Sequence, residues 1–135
     1  MASTLYPKFK EALLNADLDV MADNIKVVLV DSADYTYSAS HQFLSDVAVG
    51  GRVATSANLA SKTATNGVFD AADITFTGVT GDPSEALVIY KDTGTAATSN
   101  LICYIDTVSG PAALSVTPNS GDITISWSPS GIFSL

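Results

Sequence analysis

Ala86-Leu-Val-Ile-Tyr-Lys91 and Leu101-Ile-Cys-Tyr-Ile105 are short, apolar and dominated by β-branched and aromatic side chains. That composition favours a pleated, buried strand over a helix. Between them, Asp92-Thr-Gly-Thr-Ala-Ala-Thr-Ser-Asn100 holds no large apolar residue and reads as a loop. The two runs are therefore a hairpin at the centre of a β-sheet. Its loop is long, rich in small residues and uncharged after Asp92, and is expected to flex in solution and order against a neighbouring subunit.

Working outward, Ile25-Lys-Val-Val-Leu-Val30 is a nearly continuous apolar run and predicts a strand covered on both faces. Asp31-Ser-Ala-Asp34 breaks it with turn chemistry, and Tyr35 and Tyr37 alternate with Thr36 as the start of an edge segment. Arg52-Val-Ala-Thr-Ser56 is a further strand. Asn66-Gly67 is the strongest short hairpin signal in the chain, because both turn positions need positive φ. Asp73-Ile-Thr-Phe-Thr77 and Asp122-Ile-Thr-Ile-Ser-Trp127 alternate, which places Ile74 and Phe76, and Ile123, Ile125 and Trp127, on inward faces. Together with Ile25–Val30 these segments are expected to seal the faces of the central hairpin. Two prolines exclude a regular central strand between Val108 and Pro118, leaving an irregular crossing with Leu114 and Val116 in the core. Ile132-Phe-Ser-Leu135 is too apolar for water and pairs at a sheet edge or docks on a partner.

Two segments read as helices. In Tyr6–Ala16, Pro7 suits a first turn, Ser3 or Thr4 is a candidate cap, and Tyr6, Phe9, Leu13 and Ala16 form one stripe. Ser38–Asp46 is a short helix capped by Ser38 or Ser40 and anchored by Phe43, Leu44 and Val47. The sum is a single domain, residues 1–135, that is mainly β. It is an antiparallel β-sandwich or partly open barrel of about eight strands with one N-terminal helix and one short helix.

Composition excludes several function classes. Charged residues make up 15%, against roughly 25% in ordinary domains. Ser, Thr, Ala, Gly and Asn replace them, a surface with little to repel a neighbouring copy. Six basic residues against fourteen acidic ones give a net charge of −8, and no basic cluster exists to hold a phosphate backbone or an anionic membrane. Met1–Lys10 lacks an apolar signal region and no run reaches a membrane span, so synthesis in a cytoplasm is expected.

The residues suggest no reaction. The single histidine, His41, stands in a polar Ser-rich segment and is expected to be exposed, while the single thiol, Cys103, lies in an apolar strand. A nucleophile needs its base beside it. Asp31–Asp34 and Asp70–Asp73 each space two acids three apart, but neither matches a calcium loop, and turn capping is the expected role. Gly78-Val-Thr-Gly81 lacks the length and the Lys of a phosphate loop. No catalytic, cofactor-binding or metal-ligating residue is assigned, and the chain is not read as an enzyme. Among the aromatics, Tyr35 and Tyr37 are the pair expected to be exposed, as a glycan-stacking platform would require, whereas Trp127, Tyr90 and Tyr104 are expected in the core.

The chain resembles a family of small bacteriophage virion structural proteins. The likeness is carried by Tyr6-Pro-Lys-Phe-Lys-Glu-Ala-Leu-Leu14, Ile25–Asp31, Arg52-Val-Ala54 and Gly67-Val-Phe-Asp-Ala-Ala-Asp-Ile-Thr-Phe76. It continues in Glu85–Gly94, Thr117-Pro-Asn119, Gly121–Trp127 and Ile132-Phe133, while Pro111–Val116 departs from the pattern. The resemblance covers nearly the whole chain and transfers no catalytic residue. It implies a place in the virion, first as a capsid decoration or cement protein stabilising the head. A tail adaptor or tail-fibre-associated protein and a glycan-binding β-module are the alternatives. The implied partners are the major capsid protein or other virion proteins and further copies of the chain. The N-terminal helix and the Ile132–Leu135 tail are the segments expected to touch neighbours.

Overall fold

The computed structural model describes residues 4–108 and 112–135. The first half contributes β1 (Thr4–Leu5), α1 (Pro7–Leu14), β2 (Ile25–Val30), β3 (Arg52–Thr55), β4 (Thr63–Thr65) and β5 (Val68–Asp70). The second contributes β6 (Ile74–Phe76), β7 (Ala86–Lys91), β8 (Leu101–Ile105), β9 (Thr107–Val108), β10 (Ala112–Ala113), β11 (Ile123–Ile125) and β12 (Phe133–Ser134). The fold is mainly β, antiparallel and sandwich-like, and it is not a closed barrel.

The hairpin read from the sequence is β7–β8. It forms the middle of a five-stranded sheet ordered β1-β8-β7-β2-β3. Register fixes what each face presents. Val27, Ile89 and Cys103 stand abreast, as do Leu29, Leu87 and Ile105, while Val28, Val88 and Tyr104 point the opposite way. All of these side chains are buried. Ile25–Val30 therefore extends the hairpin edge to edge and does not seal its face as the sequence suggests.

Two kinds of cover close the sheet. On the Leu87 side lie two small sheets, β11-β6 and β12-β5-β4. Phe133 of β12 stacks on Phe69 at 5.1 Å and meets Phe9 of α1 edge-on at 5.7 Å, so the helix and the chain end grip each other. The Ile132–Leu135 tail is thus taken up within the chain: Ile132 N–H donates to Phe69 O and Leu135 N–H to Gly67 O. On the Tyr104 side lies the irregular stretch 31–51. The Arg52 guanidinium holds it by donating to Leu44 O and Val47 O, both at 2.8 Å.

Several local expectations change. Among the described residues there are twelve strands, and β1, β9, β10 and β12 are two-residue pieces too short to show a period. Ser38–Asp46 forms a single 3-10 turn, Leu44–Asp46, followed by a second at Val49–Gly51. The backbone there is already committed: Leu44 N–H donates to Ser99 O, and Leu101 N–H donates to Gln42 O. The Asp46 carboxylate, in place of Ser38 or Ser40, takes the Gln42 and Phe43 N–H groups. Thr4 belongs to β1 and does not cap α1, and Ser3 lies outside the described residues; Tyr6 is the N-cap, with Pro7 at the first position. Phe9 and Ala12 carry the buried face of the helix, while Ala16 is exposed beyond its end. Residues 35–37 form no strand.

The loop 92–100 is structured. Ala96–Thr98 forms a 3-10 turn, Ser99 Oγ donates to Thr95 O, and Thr93 Oγ1 lies 2.6 Å from Thr98 Oγ1. Two sequence signals hold closely. Asn66 and Gly67 have φ of 52° and 78° in the β4–β5 turn. Leu114 is buried as expected, while Val116, expected in the core, is half-buried and pairs with Ser84. Of the crossing between Val108 and Pro118, residues 109–111 lie outside the described residues. Among the described residues no helix is long and apolar enough to cross a membrane.

Gly131 has φ +99°, and an added Cβ would collide with Val68 Cγ1. Gly94, at φ +84°, has nothing within 4 Å of its missing Cβ. Gly131→Ala should therefore cost about 2–4 kcal/mol from strain and overpacking together, and Gly94→Ala only the strain, about 1 kcal/mol. Urea unfolding of both variants checks this; equal losses would show that the last strand is not docked on β5. A second outcome concerns acid. The Lys26 ammonium, 2.7 Å away, holds the Asp92 carboxyl below its ordinary range, and the Gln42 and Phe43 N–H groups do the same for Asp46. Lowered folded values mean that the unfolded chain takes up protons first as pH falls. This stability is complete above the ordinary aspartate value of about 4 and is lost as pH drops through the lowered values. Tm should fall on the acid limb, and Asp46→Asn should flatten that limb; an identical acid limb in the variant would remove Asp46 from the account.

Candidate functional site

Three places gather side chains of chemical interest. The first is an aromatic and histidine cluster over Tyr104. Tyr35 Oη lies 2.8 Å from Tyr6 Oη and 2.9 Å from His41 Nδ1. The chain of bonds is satisfied when Tyr6 donates to Tyr35 and Tyr35 donates to a bare Nδ1. Burial pushes the Tyr35 hydroxyl up to about 12 and the Tyr6 hydroxyl higher still, so both stay protonated. Tyr37 packs on Tyr6 and Tyr104 with ring centroids 5.0 and 5.5 Å away. Tyr35 is 4% exposed, so the pair expected to stand free as a platform is built into the fold instead. His41, expected in solvent, is half-buried against the Tyr35 ring. Turn chemistry explains the difference: Asp31 O accepts from both Asp34 and Tyr35 N–H, which folds the tyrosine back over the sheet.

The second place is acidic. Carboxylate oxygens of Asp31, Asp34 and Asp82 lie within 4.8 Å of one another. The sequence pairs the first two; the loop before Ser84 brings in Asp82, which no spacing rule could find. Asp31 Oδ1 accepts from Ala33 N–H, the capping role expected of a turn aspartate. Asp70 and Asp73 separate: Asp70 Oδ1 takes Ala71 N–H, and Asp73 Oδ1 takes Trp127 N–H. Cys103 is buried in β8, and burial pushes its thiol up to about 12, which leaves no thiolate for nucleophilic work.

The third place is a groove of about 610 Å³ beside β11. Its floor includes Leu87 and Ile105 of the central sheet, one wall is the run 123–129, and the other includes Leu114 and Val116. Its lining is aliphatic, hydroxyl-bearing and aromatic, with no titratable side chain. A concave lining of this kind, apolar with a few hydroxyls, is the usual character of a ligand- or partner-binding surface. Ile123, Ile125 and Trp127 share a face as their alternation predicts, but they are half-buried where full burial was expected. Trp127 is held at the rim by its indole N–H, which donates to Ala72 O at 3.1 Å. Sequence reasoning missed the groove because its walls come from segments far apart in the chain.

Tyr35→Phe removes the hydroxyl that joins Tyr6 to His41 and leaves Tyr6 Oη buried without that bond. A loss of about 1–3 kcal/mol in urea unfolding is expected; an unchanged midpoint would mean that the cluster contributes packing alone.

No protein-family model matches the sequence, and no curated protein does.

Proposed function

We propose that the chain is a structural protein of a bacteriophage virion, made in the host cytoplasm, and acts as a decoration or cement protein on the head. There it would bind the major capsid protein and further copies of itself. The observation that carries this reading is the half-buried apolar edge Ile123–Trp127, opening on a groove whose lining is suited to holding another chain. The sparse charge of the chain agrees with a life packed against neighbours. The sequence resemblance supports the same role, and its motifs fall on α1, β2, β3, β5, β6, β7, β11 and β12. The glycan-binding alternative loses support, because Tyr35 is buried and hydrogen-bonded inside the fold.

The role is tested on purified particles. Immunogold labelling, or cryo-EM density that fits this domain, should place it on the head lattice. Label confined to the tail would replace the head role with the tail-adaptor role. Absence from purified virions would overturn both.

A further inference from the structure

We propose that β11 is an acceptor edge for strand addition, and that its occupant is an extended segment of a partner protein, apolar at alternate positions and basic at its ends. This goes beyond the virion role and holds for a head partner or a tail partner alike.

The geometry of the lining points to an edge. A groove lying against the face of a strand is lined by every second residue, because side chains alternate. Here the consecutive residues 123–129 all contribute, and none of the three residues of β6 does. The groove therefore runs along the flank of β11 that faces away from β6. Among the described residues β11 pairs with β6 alone. Among the described residues its other flank carries no partner strand, and such a flank is the template that an added strand completes. The strand is firmly seated for that role. Thr124 Oγ1 lies 3.1 Å from Thr75 Oγ1 across the pair, and Asp73 fixes Trp127 N–H at the far end.

Side-chain chemistry selects the occupant. Leu87, Ile105 and Leu114 are buried beneath the groove, so residues of an added strand that point inward meet hydrocarbon. Carboxylates lie near both ends of β11, outside the groove lining: Asp122 precedes the strand and accepts from Gly78 N–H, and Asp73, which precedes β6, accepts from Trp127 N–H. No Lys or Arg occurs from 92 to 135, and residues 63–135 carry one basic side chain, Lys91, against seven acids. Basic ends complement that excess of acid. A second copy presenting the same edge would set acid against acid, which argues for a different partner.

The test uses the full chain and a blocked heptapeptide alternating valine and threonine with lysine at each end. A twin peptide has glutamate at each end. Trp127 is the single tryptophan and lines the groove, so its fluorescence reports occupancy. The lysine peptide should give a saturable change and shift the backbone amides of residues 123–126. The glutamate peptide should bind about tenfold more weakly, and added salt should narrow the gap. Ile125→Lys, with its circular dichroism unchanged, should abolish the effect. No change with either peptide at about millimolar concentration would overturn the proposal. So would equal affinity for the two peptides, amide shifts elsewhere on the sheet, or a free chain that is already a dimer joined through β11.

Discussion

Three adjacent strands with apolar side chains on both faces set the terms for everything else in this molecule. β2, β7 and β8 pair along most of their length, and their core positions are withdrawn from water on either side. Leaving one face open would expose a row such as Val28, Val88 and Tyr104, and hydrophobic burial is the dominant favourable term in folding. The remaining chain must therefore supply two covers. Each strand of the triplet reads as a nearly continuous apolar run for the same reason, with Lys26 an exception that reaches Asp92 at the margin of the sheet.

The two covers solve the problem differently. On the Tyr104 side an irregular stretch is held down by polar anchors. Arg52 holds two carbonyls, Asp46 two amides, and the tyrosine hydroxyls bond to one another and to His41. A loop packed against a sheet is stable only when its buried polar groups find partners, and these residues are the partners. On the Leu87 side the cover is made of short strand pairs and a phenylalanine contact that ties α1 to the chain end. Three-residue strands cannot roof a five-stranded sheet completely. The shortfall is the groove beside β11, and the proposed binding role follows from that incomplete coverage.

The side chains that elsewhere do chemistry are absorbed into this scaffold. The histidine orients a tyrosine, the thiol is a core hydrophobe, and most aspartates take nearby N–H groups. Asp31, which is buried and caps Ala33 N–H, gathers with the exposed Asp34 and Asp82.

Much of the fold was legible in the residues because strand identity is a local property. Apolar runs, strict alternation and the Asn66-Gly67 pair each act within a few residues, and they correctly marked β2, β7, β8, β6, β11 and the β4–β5 turn. Apolar content also marked Cys103 as buried. What pairs with what, and what covers what, was decided only in three dimensions. Ser38–Asp46 has the composition of a short helix, yet its backbone bonds go to residues 99–101. Tyr35 sits among polar neighbours in sequence, yet a turn folds it under. Trp127 follows a core alternation, yet stands at a rim, where its indole N–H is held by Ala72 O. Burial is set by the elements that arrive from elsewhere in the chain, and no local pattern encodes their arrival.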